Sequence, residues 1–312
     1  MIVRFFGGLI GIGFVVALLI SLFSGAAAYF ASPPEELVSE QFHLHPKHLA
    51  LASDGPFGKY NNQQLQRGFQ VYSEVCAACH AVGMASFREL EHLGYTEAEV
   101  KKIASDWKIQ VPTINEQTGE PSTRKALISD TFPHPFPNEV AARAANNNAY
   151  PPDLTLITKA REGGAAYVYS LLTGYRNADT YKNEKGEALP ASAKPPQGLH
   201  FNPYFANLNI AMPPPLTANG QVTYADGTPS TIDQMAKDVS AFLVWTAEPE
   251  RDRRHAAGFA VVIFLLVASA LGYLAYMQVW AEAKRKVRVT GVLEPENLAK
   301  RKRASAKAGV HD

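Results

Sequence analysis

Cysteine is almost missing from this chain: 312 residues hold two, Cys76 and Cys79. So few exclude a disulfide-stapled scaffold and leave nothing for a four-cysteine metal site. Methionine is scarce too, at five residues. Repeats and low-complexity tracts are absent, and strand-like alternation is sparse, which points away from an all-β fold. Strong net charge is also lacking, at +1 overall.

Uncharged sequence, by contrast, is plentiful in two places. Residues 5–34 open with FFGGLIGIGFVVALLISLFSG, and residues 256–281 read AAGFAVVIFLLVASALGYLAYMQVWA. Each exceeds the ~20 apolar residues a helix needs to cross a bilayer. The second is expected to be a transmembrane helix. The first follows Arg4 and ends in the small residues of GAAAYFAS (25–32), so it reads either as a signal peptide or as a retained anchor.

The near-zero charge hides an asymmetry. Residues 32–255 carry 20 Lys and Arg against 25 Asp and Glu, whereas residues after Trp280 carry 9 against 4. Basic segments stay on the cytoplasmic side, so the tail is expected there and the large domain opposite. The expected organisation is a signal or anchor at 1–31, an exported domain at 32–254, a membrane helix at 255–281 and a basic tail at 282–312.

Within the domain the periodicity is helical. Leu65, Phe69, Tyr72 and Val75 share a face of 61–75 behind an Asn cap. Thr96 and Glu99 have capping-box spacing before 96–107, as do Thr231 and Gln234 before 231–248. Helices are also expected at 138–147, 153–161 and 164–175. The connections at 108–136 and 176–230 are long, a length that usually wraps a cofactor or forms a partner surface. The fold class is mainly α, with long loops.

EVCAACH (74–80) uses both cysteines. A redox Cys-x-x-Cys belongs on a strand-to-helix turn of a βαβ unit, and here an amphipathic helix leads into it. Zinc needs two more ligands, for which only His43, His45 and His48 offer themselves nearby. Cys-x-x-Cys-His is the attachment signature of c-type haem, with two thiols for the vinyl groups and His80 beneath the iron. For a sixth ligand of thioether type, elimination leaves one methionine. Met1 starts the chain, Met84 is too near His80, Met235 lies on an apolar helix face and Met277 in the membrane span. Met212 remains, in LNIAMPPPL (208–216), with His200 as the rival ligand. Met/His ligation leaves no open iron position and suits electron transfer.

Five blocks occur in order: RGFQVYSEVCAACH (67–80), ARAANNNAYPPDLTLI (142–157), AREGGAAYVYSLLTGY (160–175), GLHFNPYFANLNIAMPPPL (198–216) and DGTPSTIDQMAKDVSAFLVWTAEPERDRR (226–254). Together they resemble the cytochrome c1 family, the membrane-anchored c-type haem subunits of the cytochrome bc1 complex (quinol–cytochrome c reductase). The resemblance implies a cytochrome c-like domain with one covalent haem c on Cys76 and Cys79 and axial His80 and Met212. It also implies Arg161 and Tyr167 near the haem propionates, and Asn146, Pro151 and Pro152 lining the pocket.

It further implies an electron carrier within an enzyme, reduced by the Rieske iron–sulfur protein and oxidised by a soluble or anchored cytochrome c. Cytochrome b and membrane lipid would be neighbours in a dimeric complex, and nucleic acid is not expected. The setting would be a bacterial cytoplasmic membrane, with the haem domain in the periplasm. Three departures stand out: Asn148 where relatives commonly carry Gly, a longer basic tail, and no additional cysteine pair. Two other readings remain to be weighed: a free-standing anchored cytochrome serving a terminal oxidase, and a haem sensor or scaffold. The large domain and the absence of a Pro/Ala linker count against the first, and a closed Met/His iron against the second.

Overall fold

The computed structural model describes residues 2–32, 37–286 and 295–307. Contacts divide the chain into two units, Met1–Ser53 with Tyr60–Pro249 and Asp54–Lys59 with Glu250–Asp312. The first unit opens with α1 (Ile2–Ala31) and α2 (Val38–Phe42), followed by α3 (Asn62–Glu74) and α4 (Glu97–Ser105). Then come α5 (Glu139–Ala145), α6 (Ile157–Ala160), α7 (Gly164–Leu172) and α8 (Ile232–Ala247). The second unit carries α9 (Arg251–Lys286) and α10 (Pro295–Lys307). The class is mainly α, as its sequence pattern predicts.

The first unit is organised on α3 and α8. Asn61 caps α3 by accepting from Gln64 N–H, and Thr231 caps α8 by accepting from Gln234 N–H. The two helices cross at Gly68, where an added Cβ would stand 2.1 Å from the Asp238 carbonyl oxygen. Only glycine permits that approach. Around the crossing Phe69, Tyr72, Phe87, Trp107, Phe132 and Phe242 form an aromatic core, with Phe87 and Phe132 centroids 4.3 Å apart. Asp238 is fully buried between the helices. Its carboxylate accepts from Arg67 Nε at 2.8 Å, Gln64 Nε2 at 3.1 Å and Gln234 Nε2 at 2.8 Å, which offsets the cost of burying the charge. Gln234 thus turns to Asp238 rather than back toward Thr231.

The reading of the long connections needs correction. Residues 108–136 contain β1 (Val111–Ile114) and β2 (Pro121–Arg124), an antiparallel pair closed through Gly119 at φ +75°. Residues 176–230 contain a second small pair, β3 (His200–Phe201) and β4 (Asn209–Ile210). Residues 87–93 form a 3-10 turn behind a Ser86/Glu89 capping box. The helix expected at 153–161 shrinks to α6, four residues long. Asp153, the first residue of that stretch, spends its two carboxylate oxygens on Thr155 N–H and Gly83 N–H.

Two helices are long and apolar enough to span a membrane, over Phe5–Ala31 and Arg251–Ala281. Neither apolar window is buried inside the protein. Side chains such as Phe14, Leu18, Phe264 and Leu266 stand exposed, which excludes a core-helix reading. The basic tail is helical over α10.

Candidate functional site

The site is built around the end of α3. Its last turn passes into a 3-10 turn, Cys76–Ala78, closed by Cys79 N–H and His80 N–H donating to the Cys76 carbonyl at 3.1 and 2.9 Å. Cys76 is half-buried, Cys79 is exposed and both thiols are free. Burial, and then the neighbouring Cys79, push the Cys76 thiol up to about 12. Among the described residues no cluster of three or more His, Cys, Asp or Glu is placed to hold a bare metal ion.

His80 is fixed from two sides. The Tyr72 hydroxyl donates to its carbonyl at 3.1 Å, and its Nδ1 lies 2.8 Å from the Pro152 carbonyl oxygen. A carbonyl only accepts, so Nδ1 carries the proton and Nε2 keeps its lone pair. Burial holds the imidazole below the ordinary histidine range, against the opposing pull of the Pro152 carbonyl and Asp153. The ring is therefore a neutral donor with a defined tautomer, which is what an iron ligand must be.

The segment after Pro152 laces onto the segment after His80. Leu154 N–H donates to the Ala81 carbonyl at 2.8 Å, Gly83 N–H to Asp153 Oδ2 at 2.8 Å and Met84 N–H to Thr155 Oγ1 at 3.3 Å. Asn146 ends α5, donating from its side chain to the Ala142 carbonyl at 2.7 Å. Asn147 and Asn148 then follow at φ +51° and +64°. Both lie in the left-handed region, which asparagine tolerates better than most residues. The turn delivers Pro151 and Pro152 to His80.

Arg161, Tyr167 and Met212 form a second group. Gly163 and Gly164, at φ +80° and +53°, swing the chain from α6 into α7. Arg161 is exposed, and among the described residues no carboxylate pairs with it. It lies close enough to Tyr167 to oppose the rise that burial causes in that phenol. Tyr175 is raised first by burial and then by Tyr167, and its hydroxyl donates to the Met212 carbonyl at 2.9 Å.

Met212 itself follows the β3–β4 pair, which is seated by buried Asn202. That side chain donates to the Leu171 carbonyl at 2.8 Å and accepts from Tyr204 N–H at 3.1 Å. Phe42, Leu189, Phe201 and Leu208 pack beneath it. His200, the rival ligand, pairs with Ile210 in the ladder.

The structure thus collects His80, Pro151 and Pro152 into one group and Arg161, Tyr167 and Met212 into another. Among the described residues no hydrogen bond joins His80 to Met212 or to Tyr175. Free thiols, a neutral His80 and an uncommitted Arg161 fit a covalent haem with two anionic propionates. A cavity of about 650 Å³ opens beside Cys79, between residues 109–112, 130–139 and 150–153. Neither His80 nor Met212 lines it, so it flanks the site at the Cys79 edge. Sequence reasoning missed Asp153, Tyr175 and Asn202; no motif flags a polar residue whose value lies in a distant backbone partner.

The description of the cytochrome C1 family matches residues 51–283. The chain belongs to the cytochrome c1 family. Cytochrome c1-2, a mitochondrial heme protein of Solanum tuberosum, is 46% identical over 214 residues, covering 69% of this chain and 77% of that protein. Cytochrome c1 of Rhodospirillum rubrum is 41% identical over 237 residues, 74% of this chain and 85% of the relative. Cytochrome b/c1 of Bradyrhizobium diazoefficiens is 39% identical over 280 residues, 86% of this chain, which spans only 40% of that longer relative. As a cytochrome c1 family member the chain is a membrane-anchored haem electron-transfer subunit of the cytochrome bc1 complex, alongside cytochrome b and Rieske subunits, with one covalent haem c.

Proposed function

We propose that this chain relays single electrons from the Rieske iron–sulfur protein to a cytochrome c during quinol oxidation. In this reading Cys76 and Cys79 would hold the haem covalently, and His80 and Met212 would be the residues that ligate its iron. Arg161 and Tyr167 bind the propionates, while Asn146, Pro151 and Pro152 wall the pocket. When bound, the haem iron supplies the one-electron couple.

The chain's own residues do the positioning. Pro152 fixes the His80 tautomer, and Tyr175 and Asn202 hold the loop that presents Met212. Arg161 offers charge-assisted bonds to a carboxylate. The observation that carries the reading is the 2.8 Å contact of His80 Nδ1 with Pro152 O, which leaves Nε2 free as a donor. The net acidity of residues 32–255 supports a basic acceptor protein, and the name cytochrome b/c1 borne by one relative supports pairing with cytochrome b. The charge asymmetry supports a periplasmic haem domain, a cytoplasmic tail and a bacterial cytoplasmic membrane.

Replacing Met212 by Leu tests the ligand assignment. The haem should stay attached while its reduction potential falls and the ferrous form begins to bind carbon monoxide. An unchanged potential together with continued inertness to carbon monoxide rejects Met212 and returns His200 to consideration. For the route, quinol-dependent reduction of cytochrome c by the purified complex should stop when the Rieske protein is removed. Reduction that continues without it overturns the donor assignment.

A further inference from the structure

The electron-transfer reading leaves the end of the chain without a task. The apolar part of α9 ends at Ala281 and the helix runs on to Lys286, about 7.5 Å further at 1.5 Å per residue. Its basic flank, KRKVR at 284–288, already supplies the charge that sets orientation. A second cluster, KRKR at 300–303, stands about 20 residues beyond the span, at the outer limit of the distance over which such charges orient a helix. Topology does not require it.

This second cluster lies on α10, PENLAKRKRASAK, which has five Lys and Arg and one acid, Glu296. The acid sits in the first turn and the cations in the second half, the order that suits the helix dipole. Lys300, Lys302 and Arg303 are exposed, and among the described residues no carboxylate pairs with them. Leu298 is the only large apolar residue in α10, so the helix has no apolar stripe to bury in a protein groove or an acyl layer. Its available energy is electrostatic.

Geometry then supplies the partner. The nine steps from Lys286 to Pro295 reach at most about 31 Å when fully extended. A tether so short holds α10 near the bilayer at an effective concentration in the millimolar range. Anionic headgroups carry the complementary charge at that surface.

We propose that α10 is an electrostatic foot that adsorbs flat on anionic lipid headgroups beside the membrane exit of α9, through Lys300, Lys302 and Arg303. It does not depend on the haem ligand assignments.

The test uses the intact complex in vesicles of phosphatidylcholine alone or with one third phosphatidylglycerol. Amide exchange of residues 295–307 should slow about tenfold in the anionic vesicles at low salt. High salt should abolish the protection, as should the combined Lys300→Gln, Lys302→Gln and Arg303→Gln variant, while exchange within α9 stays unchanged. Equal exchange in the two lipid mixtures overturns the proposal. Salt-insensitive protection that persists in detergent overturns it in favour of a protein neighbour, and protection appearing only on addition of RNA overturns it in favour of nucleic acid.

Discussion

Around His80 the chain is held by several bonds spread along two segments: Pro152 O to the imidazole, Leu154 N–H to Ala81 O, and two N–H groups on the Asp153 carboxylate. Around Met212 it is held by side chains, with Asn202 seating the hairpin and Tyr175 gripping the Met212 carbonyl. The first arrangement repeats over several residues, so losing one bond leaves others in register. The second concentrates the load on two residues. A site with one laced half and one suspended half should fail asymmetrically, with the sulfur side yielding before the histidine side.

The largest effect lies beneath both halves. Gly68→Ala drives a methyl to 2.1 Å from the Asp238 carbonyl and against Phe242, a backbone clash that α3 and α8 can relieve only by separating. The expected loss is about 3 kcal/mol or more, read as a fall in thermal midpoint together with reduced haem incorporation. This variant breaks the comparison by removing its common foundation.

Next, Asn202→Ala and Asp153→Ala sharpen it. Asn202 is fully buried, so its loss strands the Leu171 carbonyl and the Tyr204 N–H, costing about 2–4 kcal/mol. Asp153 is half-buried and water can replace part of its role, so the cost is about 1–2 kcal/mol. Denaturant melts of the two variants should differ in that order, and carbon monoxide binding should appear in the Asn202 variant alone. The reverse order would mean that the suspended half is the sturdier one. The smallest effect is Tyr175→Phe, which removes one hydrogen bond for about 1 kcal/mol. It should shift the potential without detaching the haem.

Much of this was legible in the sequence, for identifiable reasons. CAACH announces itself because covalent chemistry demands fixed local spacing, and α3, α4 and α8 are legible because caps and apolar periodicity are local signals. Met212 was singled out by scarcity, since four other methionines could be set aside. Asn148 adopts positive φ, as asparagine's tolerance of that region allows, and Asn147 joins it there.

What stayed hidden depends on distant partners. Asp153 looks like a helix cap because Asp after two prolines usually is one; its actual partner, Gly83, lies 70 residues away. Asn202 looks like loop punctuation until Leu171 is placed beside it. The β1–β2 and β3–β4 pairs are two to four residues long, too short to impose a period on the sequence.

The α3–α8 crossing also has a consequence in time. Gln64 and Asp238, which meet there, are 174 residues apart. During synthesis the aromatic core against which Cys76 packs lacks one wall until α8 has been made. Until then Cys76 sits against an unfinished surface. Arrival of the last helix of the domain completes that wall, so the core around Cys76 is among the last parts of the domain to form.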